Sequence, residues 1–519
     1  MPIYVYKGNN QVSTNAIRNN KAVKAIYAKE QREEAVCVWG VNLNIVPFTY
    51  TKSETSITIT GLKGGVKMEH LRVPETIEEL PVEGITYGAF EKITIFKSIK
   101  LPNTLTFIGG YAFYMCTGLT SLTIGNSATS IGDSAFRKCT SLTNVTIGKG
   151  VTDIGKRAFY DCSSLTSITI PGSVTSISEE AFAGCDKLQD IYITNIATWC
   201  KISNLYYLMD FASSNKNLYI NNELVTTLII PNRVTKIVST AFKKCNKITS
   251  VTIPGSVTSI SNYAFQSCTG LTSVTIGGGV KSIDQGAFSG CTGLTSITIP
   301  DSVTSVGYGA FDDTVWYNNK PDGLVYAGKV AYKYKGTMPK NTSIIIRDDT
   351  LSISAKAFYN CTGLTSVTIP NNVTSIGYSA FSGCTGLTRV TIGNSVTSIG
   401  YSAFWGCTSL TSITIPDRVT SINDKTFYQC KGLTSVTIPN SVKSIGMSAF
   451  YQCTGLTNVT IGKGVTSIGL SAFSGCTSLI SITFNGTKAQ WNAISKESQW
   501  NSGTGNYTIH CTDGDIPKQ

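Results

Sequence analysis

Histidine is almost absent from this sequence, and that absence excludes many kinds of active site. The 519 residues include two histidines, His70 and His510, which lie near opposite ends of the chain and cannot share one metal ion. The H-E-x-x-H, G-x-S-x-G and Walker motifs are also absent. Acidic pairs such as Asp312–Asp313 and Asp348–Asp349 are typical of solvated turns, not of a glycosidase dyad. We therefore expect no catalytic residues, no metal site and no cofactor, and a protein that is not an enzyme.

Charge and long apolar runs are scarce as well. Only 14% of residues are charged, and the net charge of +12 is spread along the chain without a basic run. No specific nucleic-acid partner is therefore expected. No stretch approaches the roughly 20 apolar residues that span a bilayer. Residues 1–20 lack the pattern of a secretory signal, so an export signal was removed or the protein reaches its location by another route.

Cysteine, in contrast, is plentiful and regularly spaced. Cys116 and Cys139 are 23 residues apart, and thirteen of the sixteen cysteines keep this period, each three residues after a phenylalanine. They are Cys116, Cys139, Cys162, Cys185, Cys245, Cys268, Cys291, Cys361, Cys384, Cys407, Cys430, Cys453 and Cys476. Phe90 and Phe311 occupy the same repeat position but have no cysteine three residues later. Counting these phenylalanines with the other thirteen gives fifteen repeat units. A fixed period of this size indicates a repeat solenoid.

One unit, Leu271–Cys291, shows how such a repeat folds. Val274 and Ile276 alternate with Thr275, as in a half-buried strand. Val280 and Ile283 belong to a second extended piece, and residues 285–289 are expected to form a short helical or 3-10 turn. A single unit cannot bury these apolar side chains, whereas stacked units share a continuous core.

The regular cysteines are best interpreted as buried thiols. A small, weakly polar side chain suits a tight interior corner. A uniform row does not supply the geometry of disulfides, and C-x-x-C metal spacings are absent. Cys37, Cys200 and Cys511 lie outside the period.

The repeats resemble the BspA-like leucine-rich repeat family. Residues 363–384 (GLTSVTIPNNVTSIGYSAFSGC) and 432–453 (GLTSVTIPNSVKSIGMSAFYQC) match its unit closely, and the resemblance extends from about Leu71 to Phe484. It implies a leucine-rich-repeat, strand-lined curved rod. It also implies exposure on host-associated microbes and binding of host matrix proteins, other cells or glycans.

Departures from the period suggest three regions. Residues 1–62, with strand-like pieces at 3–6 and 35–39, are expected to be an N-terminal cap or attachment module. Residues 63–484 form the solenoid, with insertions near 194–224 and 314–341. Residues 485–519 are expected to be a C-terminal cap.

Both insertions are rich in aromatic residues and contain a predicted hairpin. The turns are predicted at Asn221–Asn222 and at Ala327–Gly328. These aromatics either bind a ligand or cover core that the broken period leaves exposed. The first set is Trp199, Tyr206, Tyr207, Phe211 and Tyr219; the second is Trp316, Tyr317, Tyr326, Tyr332 and Tyr334. The second insertion is the better ligand candidate, since Lys329, Lys333 and Lys335 accompany its rings and suit sugars or acidic polymers.

A second candidate surface is a row of threonines, one per unit, on the exposed side of the predicted strand. Such a row suits a repetitive ligand, although threonine is also simply favoured on exposed strand faces. This threonine row consists of Thr123, Thr146, Thr169, Thr252, Thr275, Thr298, Thr368, Thr391, Thr414, Thr437 and Thr460. Tyr192, Ile229 and Ile345 interrupt it beside the insertions.

The leading interpretation is a binding and adhesion protein, at a microbial cell surface or secreted, that recognises a protein or glycan ligand on another cell or host. Two alternatives remain. One is a rigid structural spacer, and the other is a receptor-binding or structural component on a phage or virion surface.

Overall fold

The computed structural model describes residues 47–64, 68–210 and 215–518, with the backbone of 4–7 and 10–13. The predicted strand at 35–39, Cys37 and Phe211 lie outside these residues. The chain divides into an N-terminal unit, Met1–Val225, and a C-terminal unit, Thr226–Gln519. Among the described residues, no helix is long and apolar enough to cross a membrane.

The N-terminal unit consists almost entirely of short strands. Its elements are β1 (Tyr4–Lys7), β2 (Asn10–Ser13), β3 (Phe48–Lys52), β4 (Ile57–Leu62), β5 (His70–Arg72), β6 (Thr76–Ile77), β7 (Leu80–Ile85), β8 (Ser98–Lys100), β9 (Phe107–Ile108), β10 (Ser121–Thr123), β11 (Ser130–Ile131), β12 (Asn144–Thr146), β13 (Asp153–Ile154), β14 (Ser167–Ile170), β15 (Ser176–Ile177), β16 (Asp190–Ile193), α1 (Ile196–Trp199), α2 (Tyr206–Met209), β17 (Asn217–Ile220) and β18 (Glu223–Leu224). One sheet has the order β18-β17-β16-β14-β12-β10-β8-β5, and a second has the order β15-β13-β11-β9-β7-β4-β3.

The C-terminal unit repeats this pattern. Its elements are β19 (Thr227–Ile229), β20 (Lys236–Ile237), β21 (Ser250–Ile253), β22 (Ser259–Ile260), β23 (Ser273–Ile276), β24 (Ser282–Ile283), β25 (Ser296–Thr298), β26 (Ser305–Val306), α3 (Val315–Asn318), β27 (Gly323–Ala327), β28 (Val330–Lys335), β29 (Thr342–Ile345), β30 (Ser352–Ile353), β31 (Leu364–Ile369), β32 (Ser375–Ile376), β33 (Arg389–Ile392), β34 (Ser398–Ile399), β35 (Ser412–Thr414), β36 (Ser421–Ile422), β37 (Ser435–Ile438), β38 (Ser444–Ile445), β39 (Asn458–Ile461), β40 (Ser467–Ile468), β41 (Ser481–Phe484), α4 (Lys488–Ala493), β42 (Ser495–Lys496), β43 (Thr508–Cys511) and β44 (Gly514–Pro517). Its longest sheet has the order β29-β31-β33-β35-β37-β39-β41-β43-β44.

The 23-residue period sets the strand register, which confirms the predicted repeat solenoid. Val251 lies opposite Val274, and Val274 lies opposite Ile297, in parallel strands of successive coils. Each regular coil contributes a strand of three or more residues to a first sheet and a two-residue strand to a second. The apolar residues that recur in both strands, such as Val274, Ile276 and Ile283, point inward and are buried.

The segment after the second strand forms hydrogen-bonded turns, not the predicted helical or 3-10 turn. In the coil of Phe288, residues 285–290 are turn, with Gly286 and Gly290 at φ +60° and +71°. The Phe288 N–H donates to Ala310 O of the next coil at 2.8 Å, whereas the Ser289 N–H donates to Gly286 O at 3.1 Å. Because alternate N–H groups point to the neighbouring coil, a continuous helix cannot form.

The phenylalanines stack into ladders through the core. Phe381 and Phe404 have ring centroids 5.2 Å apart at an interplanar angle of 5°, and both rings are fully buried. The predicted buried thiols are confirmed: every described cysteine is free, and all but Cys511 are buried. A role that spacing did not predict is hydrogen bonding, since Cys407 Sγ donates to Phe381 O at 3.2 Å in the preceding coil.

An aromatic residue lies against the first ladder ring of the N-terminal unit, and another lies against the last ladder ring of the C-terminal unit. Phe48 packs edge-on against Phe90, with centroids 6.3 Å apart. Its strand, β3, and the adjoining β4 continue the second sheet, although the sequence assigned them to the N-terminal segment. Trp500 packs edge-on against Phe473 at 6.2 Å. The division of the chain into solenoid and caps stays a prediction.

Both predicted hairpins are present and join the sheets. β17 and β18 are antiparallel, and Asn221 and Asn222 between them have φ of 51° and 64°. In the second hairpin Ala327 pairs with Val330, so the turn residues are Gly328 and Lys329, one position later than predicted. Gly328 has φ +60°, which a glycine at the first turn position adopts without strain.

Candidate ligand-binding surface

The threonine row lies on the outer face of the first sheet. Thr252 lies opposite Thr275 and Thr275 opposite Thr298, and Thr414 lies opposite Thr437. Neighbouring members are therefore about 4.8 Å apart, the spacing of paired strands. Seven members of the C-terminal unit are exposed: Thr252, Thr275, Thr298, Thr368, Thr391, Thr414 and Thr437.

The hydroxyls of the threonine row are available to a ligand, whereas those of a second set of threonines are not. Thr249 and Thr272 precede the row by three residues in each coil. Their hydroxyls donate to the carbonyls of Thr226 and Thr249, at 3.1 and 2.9 Å. Within the described chain, no hydrogen bond engages the hydroxyls of the threonine row.

The inner part of the second insertion belongs to the core. Tyr317 and Tyr332 are 8% and 1% exposed, and Tyr332 meets Phe311 edge-on, with centroids 5.6 Å apart. Trp316 is half-buried and lies 4.9 Å from the same phenylalanine. These rings cover the end of a phenylalanine ladder, so those of Tyr317 and Tyr332 are not presented to solvent.

Polar contacts hold this inner group in place. The Tyr332 hydroxyl donates to Asp312 Oδ1 at 3.1 Å and accepts the Phe311 N–H at 3.0 Å. Lys333 Nζ lies 2.9 Å from Asp312 Oδ2. Burial raises the pKa of Tyr332 well above its usual value, and burial with the nearby Asp312 and Asp322 raises the pKa of Tyr317 to about 12.

The outer part of the second insertion lies beside the threonine row. The guanidinium of Arg347 lies 3.8 Å from the ring centroid of Tyr326, and its backbone N–H donates to the Tyr326 hydroxyl at 3.2 Å. Ile345, two residues earlier and 80% exposed, lies opposite Thr368. The ammonium group of Lys329 is paired with Asp301, and its Nζ lies 3.0 Å from Asp301 Oδ2. The structure thus separates Tyr326 from the inner aromatics.

The first insertion also contains both buried and exposed aromatic residues. Trp199 is buried, whereas Tyr206 is 44% exposed. Tyr219 stacks on Tyr192 with centroids 4.6 Å apart, next to Thr169 in the first sheet. Where Tyr192 replaces the threonine of the row, a pair of stacked tyrosines therefore lies on the sheet.

Sequence reasoning missed a third, partly exposed aromatic surface in the C-terminal unit. Trp405, Tyr428 and Tyr451 each follow a ladder phenylalanine, and successive rings lie 4.9 Å apart. Trp405 is 39% exposed. The aromatic residue directly after the repeat phenylalanine was the signal that could have revealed it.

The repeat cysteines are buried and both histidines contact a neighbouring side chain. Burial raises the pKa of Cys116 and Cys430 to about 12, which keeps these thiols protonated at neutral pH. His70 Nδ1 lies 2.8 Å from Ser98 Oγ, and His510 Nδ1 lies 2.9 Å from Asp515 Oδ1. In the part of the chain that the structure describes, no three His, Cys, Asp or Glu side chains are grouped to hold a metal ion.

Comparison with solved structures finds bacterial leucine-rich repeat proteins. One from Bacteroides ovatus is 25% identical, with 90% of this chain and 100% of that chain covered, at a TM-score of 0.30. A leucine-rich cell surface protein from Faecalibacterium prausnitzii is 25% identical, with 88% and 97% covered, at 0.29. A leucine-rich repeat protein from T. pallidum is 30% identical, with 32% and 82% covered, at 0.28.

No curated protein is significantly similar to the chain in sequence. A family model does match, and it is described as a BspA type leucine-rich repeat region of six copies. It matches residues 48–207, 212–319, 330–453 and 397–504, which together make up most of the chain. The chain therefore belongs to the BspA-type leucine-rich repeat family.

Proposed function

We propose that this chain is a non-enzymatic binding and adhesion protein of a microbial surface, whose ligand lies along the threonine row of the C-terminal unit. The ligand is a protein or glycan of a host or another cell. The observation that carries the proposal is a difference between two sets of threonines. The hydroxyls of Thr249 and Thr272 donate hydrogen bonds to the preceding coil, whereas Thr252 and Thr275 are exposed and their hydroxyls form no hydrogen bond within the described chain.

The outer part of the second insertion supports the same location. Ile345 is 80% exposed in register with Thr368, and Arg347 covers the ring of Tyr326 beside it. An exposed apolar side chain next to an aromatic and cationic pair is typical of the residues that contribute most to binding energy. We infer that this corner anchors one end of the ligand, while the threonine row contributes many weak contacts along it.

A glycan and matrix-protein array, probed with the full chain, tests this proposal. The test variant carries Thr391→Gln and Thr414→Gln, which place longer side chains across the threonine row. The control carries Ser305→Gln and Ser398→Gln, on exposed positions of the second sheet. We expect at least one ligand that the control retains and the test variant loses.

Two other results would contradict the proposal. Equal binding by both variants would exclude the threonine row as the contact surface. A blank array, together with absence of the native protein from the accessible cell surface in a protease-shaving experiment, would favour a spacer or a virion component.

A further inference from the structure

A groove of about 640 Å³ lies in the N-terminal unit, along the ends of the first-sheet strands. Its floor is formed by backbone and by short side chains, among them Gly125 and Gly148. A Cβ at Gly125 would lie 2.0 Å from Pro102 O, and one at Gly148 would lie 2.0 Å from Gly125 O. At these two positions a side chain would collide with the backbone of the preceding coil, so glycine allows the close approach of successive coils.

One wall of the groove is the start of the exposed row in this unit. Arg72 lies opposite Lys100, and Lys100 lies opposite Thr123, in paired strands. Thr146 and Thr169 continue the wall. Two exposed cations therefore stand where other coils carry threonine, and their charges extend over the groove.

The other wall presents hydrogen-bond donors. Asn103 Oδ1 accepts the Asn126 N–H at 3.0 Å, and Asn126 Oδ1 accepts the Lys149 N–H at 3.0 Å. Because these bonds use the oxygens, the amide NH₂ groups of both exposed asparagines are left without a partner among the described residues. The exposed ammonium group of Lys149 stands on the same wall.

The groove carries an excess of positive charge. Glu75 is the acidic residue that lines it, and its two carboxylate oxygens accept the backbone N–H groups of Asn103 and Thr104, at 3.2 and 3.1 Å. No described carboxylate forms an ion pair with Arg72, Lys100 or Lys149. Three cationic side chains without an ion pair, together with amide and hydroxyl donors, thus line one groove.

We propose that this groove binds a linear acidic polysaccharide, with Arg72, Lys100 and Lys149 contacting its carboxylate or sulfate groups. The amides of Asn103 and Asn126 and the hydroxyls of Thr123 and Thr146 contact its sugar hydroxyls. No aromatic residue lines the groove, so nucleic-acid bases have no ring to stack on. The groove runs across paired strands and not along a free sheet edge, so an extended peptide cannot add to it as a strand.

This site goes beyond the proposed function because it lies in the other unit and has a defined class of ligand. The two are separable by experiment. The Thr391→Gln, Thr414→Gln variant of the full chain is expected to bind acidic polysaccharide like the unsubstituted protein.

The test measures affinity of the full chain for heparin, hyaluronate and neutral dextran. The groove variant carries Arg72→Thr, Lys100→Thr and Lys149→Asn, each a residue that neighbouring coils carry at the same place. The control variant carries Lys431→Thr, Lys443→Thr and Lys463→Asn in the C-terminal unit, with the same change of net charge and the same use of repeat residues. Thermal unfolding of both variants verifies that they remain folded.

We expect binding of heparin or hyaluronate but not dextran, weakened about tenfold or more in the groove variant and changed less than about twofold in the control. An equal loss in both variants would show diffuse attraction to a basic protein and overturn the proposal. Equal affinity for dextran would overturn it too, as would tighter binding of oligothymidylate or polyglutamate that depends on the same three residues.

Discussion

The regular coils and the second insertion bury aromatic rings in different ways. In the coils, Phe381, Phe404 and Phe427 stack nearly parallel, 5.2 and 5.5 Å apart. In the insertion, Tyr332 meets Phe311 at 74° and depends on hydrogen bonds to Asp312 and to a backbone N–H. The coils thus repeat one arrangement of stacked rings, whereas the insertion has a single edge-on arrangement fixed by its own polar contacts.

In both regions, some side chains of a repeated residue type are used for folding and others remain on the surface. The coils use their apolar residues and one set of threonines for folding, which leaves the threonine row unengaged. The insertion uses its inner aromatics for folding, whereas Tyr326 is half-buried under Arg347 and the neighbouring Ile345 is exposed. Aromatic richness alone therefore does not identify a binding site in this chain.

Removing one ring from a ladder should have the largest effect. Phe404→Ala is expected to lower the free energy of unfolding by about 3–5 kcal/mol, because it opens a cavity between stacked rings. Hydrogen exchange should increase mainly in adjacent coils. The control is Tyr401→Ala in the same coil, where the side chain is 53% exposed. An equal increase of exchange throughout the C-terminal unit would contradict the nearest-neighbour picture.

Removing a single hydroxyl tests the polar anchor of the insertion. Tyr332→Phe should lower the free energy of unfolding by about 1–3 kcal/mol, because it leaves the buried Phe311 N–H without an acceptor. Tyr326→Phe, whose hydroxyl accepts the N–H of exposed Arg347, should cost less in denaturant titration. Equal losses of unfolding free energy in the two variants would contradict the claim that the Tyr332 hydroxyl contributes more to stability than the Tyr326 hydroxyl.

Alkaline pH should destabilise the regular coils. Burial raises the pKa of Cys430 and Cys476 to about 12, whereas an unfolded thiol has a pKa of about 8.5. The stabilisation is therefore fully present below pH 8.5 and is lost as the pH rises toward 12, by about 1.4 kcal/mol per thiol and pH unit. Stability measured between pH 8 and 10.5 should fall with a slope that a Cys430→Ala variant reduces. An unchanged slope would contradict this assignment.

The smallest expected effect concerns one thiol hydrogen bond. Cys407→Ala should cost about 1 kcal/mol, because the carbonyl of Phe381 loses the Sγ donor. Cys511→Ala, at a partly exposed thiol near the chain end, should have almost no effect on thermal unfolding. A cost at Cys407 no larger than at Cys511 would show that the bond contributes nothing.

The period alone predicts much of this fold. A 23-residue spacing determines which residues pair between coils, which side chains are buried, and that the cysteines are thiols. It does not predict hydrogen bonds between coils, which depend on backbone geometry. Thr249 and Thr252 look alike in the sequence, yet the hydroxyl of the first donates to a carbonyl and that of the second does not. The groove beside Gly125 was not predicted either, since residues of several successive coils line it.

The most direct test of the central claim compares the threonine row with the inner aromatics of the second insertion. Affinity for a ligand captured on the array is measured for the Thr391→Gln, Thr414→Gln variant and for Trp316→Phe, which alters a ring packed against Phe311. We predict that the first variant loses binding and the second keeps it, with reduced stability only. Loss of binding in Trp316→Phe while the threonine variant binds normally would place recognition in the insertion and contradict the account.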